Sequence, residues 1–109
     1  MKKSKIDVQV SLDDHNHPVE IEWSATDSGV EGLRKCKCMN LSFWDGDDQC
    51  TYRIDLWTQG MMVEEMQHMM YETFRGMAET YKKATGDDDV TSKIQEFAQV
   101  FGKMTSVLK

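Results

Sequence analysis

The chain has 109 residues, a length typical of one domain with a single two-layer core, and we predict one α+β domain over residues 1–109. Asp and Glu (19) outnumber Lys and Arg (13), which gives a net charge of -6. This acidic balance argues against binding to nucleic acid or to an anionic membrane face, since both depend on positive protein surface.

The cysteines and the N-terminal residues indicate a cytoplasmic location. Three cysteines, an odd number with Cys36 and Cys38 two positions apart, are not typical of a disulfide framework, so we expect a reducing compartment. Charged and polar residues interrupt the opening MKKSKIDVQV where a signal peptide needs a continuous apolar core. No stretch approaches about 18 uninterrupted apolar residues, so no membrane-spanning helix is predicted.

Two alternating segments near the start predict a β-hairpin. Apolar residues take every second position in both, which is the period of a strand with one dry face. They are Ile6, Val8, Val10 and Leu12, then Val19, Ile21 and Trp23. The first set is even-numbered and the second odd-numbered, so antiparallel pairing on one face needs an even loop, for example 13–18. The residues from 26 to 34 lack periodicity and are predicted to be a loop.

A second hairpin is predicted from residue 36 to residue 57, with the acidic turn DGDD at its centre. We expect Gly46 to supply the positive φ that a tight hairpin turn requires. Placing Phe43 opposite Cys50 and Leu41 opposite Tyr52 keeps the apolar residues of both strands on one face.

Helical spacing replaces strand alternation after Met62. Apolar residues recur at intervals of three and four up to about Ala84, and Gly86 is expected to end this helix in a left-handed conformation. A second helix is predicted after Asp87, Asp88 and Asp89, where a carboxylate can accept free amide hydrogens. Its apolar positions form a narrow seam that predicts packing against one neighbour. They are Val90, Ile94, Phe97, Phe101, Met104 and Leu108.

The predicted order is therefore ββββαα: a four-stranded antiparallel meander followed by two helices packed on one face. This order is similar to that of the protein-export chaperone SecB, an analogy of fold that does not transmit function. In this arrangement Ile54 is expected at the centre of the fourth strand, buried where it faces the long helix.

Four motifs carry a resemblance to a known family. They are WSATDSG at Trp23 to Gly29, LSFWD at Leu41 to Asp45, RIDLWT at Arg53 to Thr58 and MVEEM at Met62 to Met66. In this order they resemble the gliding-motility protein GldC family of Bacteroidetes-type bacteria, over nearly the whole chain. The resemblance implies a small, soluble, non-enzymatic accessory of the gliding and associated secretion machinery.

The residues themselves predict no enzyme, metal or cofactor. A zinc site could combine His15 and His17 with Cys36, Cys38 or His68. Both of the first two histidines belong to a turn and both cysteines lie mid-sheet, so polar loop side chains and small buried thiols are favoured over zinc ligands. The acidic run at Asp45 lacks the Gly and Glu that a calcium loop needs at its sixth and twelfth positions. No nucleophile, phosphate-binding or dinucleotide fingerprint is present.

Two groups of residues are candidates for binding protein partners. Met61, Met62 and Met69 extend beyond the stripe that is expected to face the sheet, and flexible thioethers either fill irregular cores or form adaptable binding surfaces. Trp44 and Trp57 fall on the opposite face of the sheet, where they predict self-association unless the neighbouring loop and turn cover them.

The two functional hypotheses are an accessory protein of gliding motility and, as the alternative, a SecB-like chaperone that holds unfolded export clients.

Overall fold

The structure, a computed structural model, describes all 109 residues. The chain forms two compact units, Met1–Met61 with all the strands and Met62–Lys109 with both helices, and each is described by itself. The elements are β1 (Ile6–Leu12), β2 (Pro18–Ala25), β3 (Arg34–Cys36), β4 (Cys38–Asp45), β5 (Cys50–Trp57), α1 (Val63–Thr85) and α2 (Asp88–Met104). The α+β class is confirmed, while the single domain and the packing of the helices on a sheet face stay predictions.

The strands form two antiparallel sheets instead of the predicted four-stranded meander. One sheet has the order β1-β2-β3 and the other consists of β4 and β5. The prediction was wrong because the chain bends at Lys37, whose carbonyl oxygen accepts hydrogen bonds from the N–H (2.8 Å) and the hydroxyl (3.3 Å) of Thr58. This bend separates the three-residue β3, too short to show alternation, from β4.

The first hairpin has the predicted faces. Val10 pairs with Ile21 and Val8 with Trp23, so the apolar residues of both strands share one side. The register shifts between Ser11 and Leu12, which allows a five-residue turn instead of an even one. Ile21 is fully buried and lines a cavity of about 270 Å³ together with residues from both sheets.

The second hairpin has the predicted faces but a register shifted by two residues. Phe43 pairs with Tyr52, not with Cys50, because the turn contains four residues between the paired Asp45 and Cys50. The Asp45 carboxylate accepts the N–H groups of residues 47 (2.8 Å) and 48 (3.1 Å). Gln49 has the positive φ, 55°, and Gly46 does not, contrary to the prediction.

The end of α1 at Gly86 is confirmed, and the first of the three predicted aspartates caps α2. Gly86 adopts the left-handed conformation (φ 69°) and its N–H donates to the carbonyl of Lys82 (2.8 Å). Asp87 is the N-cap of α2, and its Oδ1 accepts the N–H of Val90 at 3.1 Å. The two helices therefore turn back on each other and pack as a helical hairpin.

The helix seam lies one residue later than predicted at three positions. Thr91, Ala98 and Gly102 are buried in α2, where the pattern predicted Val90, Phe97 and Phe101. The small residues allow α1 to come close: a Cβ added to Gly102 would lie 2.9 Å from the Tyr71 ring and 2.8 Å from the Leu108 side chain. Large side chains then flank the contact. Phe74 packs edge-on against Phe97 and Phe101, with centroids 5.1 Å apart in each pair.

Candidate functional site

Half-exposed apolar side chains cover one face of the β4–β5 hairpin. Leu41 pairs with Ile54 and Phe43 with Tyr52, and we call these four residues the apolar hairpin face. Phe43, Tyr52 and Ile54 are 55%, 51% and 48% exposed. The expectation that Ile54 is buried was therefore wrong.

The apolar hairpin face is contiguous because cross-strand pairs on one side of an antiparallel sheet have their Cβ atoms about 5 Å apart. Singly exposed apolar residues are normal on a protein surface, whereas a contiguous patch marks a binding site or an aggregation hazard. Aromatic side chains such as those of Phe43 and Tyr52 are enriched at the centres of protein interfaces. This face is the strongest candidate for binding another protein.

The opposite face of the hairpin has a hydrogen-bonded polar network at its centre. Arg53 donates to both carboxylate oxygens of Asp55 (3.1 and 3.0 Å) and to the Ser42 hydroxyl (2.5 Å). The Asn40 amide donates to Asp55 at 2.6 Å. The bonds from Asn40 and then from Arg53 lower the pKa of Asp55, so its carboxylate stays ionised. Burial of this face would desolvate an ion pair, which disfavours it as an interface core.

Trp44 and Trp57 lie on this polar face, at opposite ends. Trp44 pairs with Thr51 next to the turn, and Trp57 pairs with Cys38 at the far end. They are 63% and 58% exposed, so neither the neighbouring loop nor the turn covers them. The polar network between them prevents one continuous tryptophan patch. Self-association through these two residues stays a proposal.

A cleft of about 450 Å³ opens beside Trp57, lined by His17, Pro18, Asp55, Leu56, Trp57 and Gln59. The Gln59 side chain donates to Asp13 Oδ2 at 3.1 Å and lies 3.4 Å from His17 Nδ1, which ties the β1–β2 turn to the end of β5. Backbone N–H groups of His17 and His15 lower the pKa of Asp13. Sequence reasoning missed this cleft because its two sides lie about 40 positions apart and share no pattern.

The three candidate methionines differ in their surroundings. Met62 is 60% exposed, and its backbone N–H donates to the Glu65 carboxylate (3.0 Å) at the start of α1. Met61 is half-buried at the end of the strand unit, and Met69 is half-buried in α1, where its sulfur lies 3.5 Å from the Thr73 hydroxyl. Their role in partner binding stays a proposal.

The residues considered for metal binding do not form a cluster. No group of three or more His, Cys, Asp or Glu side chains has the geometry to hold a metal ion. The rings of His15 and His17 are 6.3 Å apart, and His68 contacts Glu72 on the exposed surface of α1. Partial burial, and then the neighbouring Cys36, raise the pKa of the Cys38 thiol, which disfavours the thiolate that a metal needs.

The comparison with protein families decides the affiliation. The model of the gliding motility-associated protein GldC-like family matches residues 18–107 of this chain. The chain belongs to the GldC-like family. The match includes β2 to β5 and both helices, and so contains the whole apolar hairpin face. The family's description names an association with gliding motility and no chemical reaction.

Two further comparisons found no match, neither among curated proteins nor among solved structures. Neither α1 nor α2 has the combination of length and apolar character that crossing a membrane requires.

Proposed function

We propose that this GldC-like protein is a non-enzymatic accessory of the gliding-motility and associated secretion machinery, and that it binds a protein partner through the apolar hairpin face. The observation that carries the proposal is the half-exposed pair of Phe43 and Tyr52 beside Ile54. Membership of a motility-associated family supplies the cellular process.

The chemistry of the hairpin favours a protein as the ligand. Its apolar face presents aromatic and aliphatic side chains on a regular strand pair, which positions them more precisely than a loop would. The net charge of -6 disfavours nucleic acid and anionic lipid. A partner with a complementary apolar patch would bury the four side chains and leave the polar network on the other side in water.

A cytoplasmic site of action is part of the proposal. None of the three cysteines is in a disulfide, as is usual in a reducing compartment. The cleft beside Trp57 and the exposed Met62 are secondary candidates for contact with the same partner.

Complementation of a deletion strain in a gliding host tests the role of the face. Phe43→Asp should abolish colony spreading, because a charge at the centre of the face prevents burial against a partner. Thr51→Asp is the matched control, since Thr51 lies on the same hairpin but on its polar face, and it should restore spreading. Both variants must show the wild-type circular dichroism spectrum and accumulate equally.

A photo-crosslinking side chain at position 43 then identifies the partner. Crosslinks to one motility or secretion protein, lost when the crosslinker is moved to position 51, would support the proposal. Full spreading of the Phe43→Asp strain, or a deletion strain that spreads normally, would contradict it.

The SecB-like alternative is favoured by one observation: large apolar residues are exposed in both units, among them Val63, Met77 and Phe97 in the helices. A holder of unfolded chains uses broad apolar surface without selecting one partner. Suppression of aggregation of several unrelated denatured proteins at stoichiometric amounts would support the chaperone. Failure on all of them, together with one specific crosslinked partner, would support the dedicated accessory.

A further inference from the structure

The edge of β4 that faces away from β5 pairs with no strand. β4 has only β5 as its neighbour, so every second residue from Asn40 to Trp44 presents its N–H and C=O away from the hairpin. Such backbone groups bind water or another strand. A sheet of two strands is marginally stable alone, so a further strand here would stabilise the hairpin.

The other sheet edges have features that oppose strand addition. The register shift between Ser11 and Leu12 interrupts β1. β3 has three residues, of which Arg34 and Lys35 are charged, and β5 carries the Arg53 and Asp55 pair at its centre. β4 has eight residues, CMNLSFWD, with no proline, no lysine, no bulge and one charged residue at its end. β4 is therefore the least protected edge.

We propose that the β4 edge binds the β4 edge of a second copy of this chain, antiparallel, around a two-fold axis perpendicular to the sheet near Ser42. Two-fold dimers that use the same surface on both chains are the commonest oligomers. Among protein ligands, a strand pairs with a whole row of outward backbone groups, and the β4 sequence contains no charge within residues 38–44 that would repel its own copy.

This pairing joins the two apolar hairpin faces. In antiparallel pairs, directly opposed residues point to the same side of the sheet. With Ser42 opposite Ser42 of the second copy, Leu41 lies opposite Phe43 of that copy. The product is a four-stranded sheet, β5-β4-β4-β5, with both apolar faces on one side. The accessory function does not depend on this dimer, since one hairpin face can bind a partner alone.

Hydrogen exchange and mass measurement on the wild-type protein test the pairing directly. Light scattering at rising concentration should show the 12.6 kDa chain approaching twice that mass. Over the same range, alternate amides between Asn40 and Trp44 should exchange about tenfold more slowly, because strand pairing protects them. The outward amides of β5 serve as the internal control and should not change.

A matched pair of variants locates the interface. Ser42→Glu keeps a favourable cross-strand neighbour for Arg53 but brings two carboxylates together at the axis, so the dissociation constant should rise about tenfold or more. Thr51→Glu puts the same charge on β5 and should leave the dimer unchanged. Amide hydrogen exchange of β4 is measured on the wild-type protein, so it tests the proposal even if a variant fails to fold.

Variants of the two tryptophans distinguish a dimer formed through the β4 edge from a dimer formed through the polar face of the hairpin. Trp44 is on β4, so Trp44→Glu should weaken the dimer, whereas Trp57→Glu, at the far end of β5, should not. Equal weakening by both would overturn edge pairing in favour of the polar face. A monomer at all concentrations, or a dimer without protection of β4 amides, would also overturn it.

Discussion

The two β-hairpins of the strand unit have the same sequence pattern, but the isoleucine at the centre of each differs in exposure. Ile21 in the first hairpin is fully buried, while Ile54 in the second is 48% exposed. The first hairpin has a third strand, β3, and its apolar side faces the cavity beside Ile21. The second has no further strand; Leu41 of its apolar face also lines that cavity, whereas Phe43, Tyr52 and Ile54 are about half exposed. Alternation therefore shows which side of a strand is apolar, but not how much of that side the fold buries.

The largest expected effect on stability is at Ile21, the buried one of the two isoleucines. Ile21→Ala should lower the free energy of unfolding by about 2–5 kcal/mol, because it removes buried methylene groups and leaves a cavity. Ile54→Ala should lower it by less than about 1 kcal/mol, because half of that side chain already contacts water. Urea denaturation of both variants measures the contrast. Equal destabilisation would show that Ile54 is as important to the fold as Ile21.

Two glycines of the helices differ in the space around them: Gly102 is closely packed, and Gly76 is not. Gly102→Ala should destabilise by about 1–3 kcal/mol, because the new methyl would lie within 3 Å of Tyr71 and Leu108. Gly76→Ala is the control, since nothing lies within 4 Å of its added Cβ, and it should stabilise α1 by about 0.5–1 kcal/mol. Thermal unfolding of the two variants should shift in opposite directions. A neutral Gly102→Ala would refute the close contact between the helices.

The turns of the two hairpins differ in how well their residues suit a left-handed backbone. Asn16 (φ 64°) is a residue type that adopts this conformation readily, whereas Gln49 (φ 55°) is not. Gln49→Gly should therefore stabilise by about 0.5 kcal/mol, the relief of strain exceeding the loss of an exposed hydrogen bond to Gly46. Asn16→Gly should be close to neutral. A larger gain at Asn16 in denaturant titrations would contradict the comparison.

The smallest expected effect is the pH dependence of stability that comes from one carboxylate in each hairpin. The pKa values of Asp13 and Asp55 are lowered in the folded state, so the unfolded chain binds these protons more readily. Both groups therefore favour the folded state above their unfolded pKa, about 4, and this contribution is lost as pH falls through the lower folded pKa. Asp55 is exposed and Asp13 is half-buried at the surface, where water screens their interactions, so the change should be small. In carboxyl NMR titrations, Asn40→Ala should raise the pKa of Asp55 and leave that of Asp13 unchanged.

The sequence by itself determined the features that depend on near neighbours along the chain. The alternation of β1, β2, β4 and β5 assigned their faces correctly, because side chains of a strand point to opposite sides with a period of two. Gly86 and the three aspartates after it marked the connection between the helices, since glycine favours left-handed geometry and aspartate favours the N-cap. The motifs also indicated the family that the comparison then showed.

Only the tertiary structure decided how these elements are divided and which surfaces remain open. The bend at Lys37 depends on hydrogen bonds to Thr58, 21 positions away, so no local pattern contains the split into two sheets. The helix seam moved to Ala98 and Gly102 because close approach of two helices selects small residues, while hydrophobicity alone selects large ones. The exposure of Phe43, Tyr52 and Ile54 also depends on distant parts of the chain. An apolar face is buried only where another part of the fold reaches it.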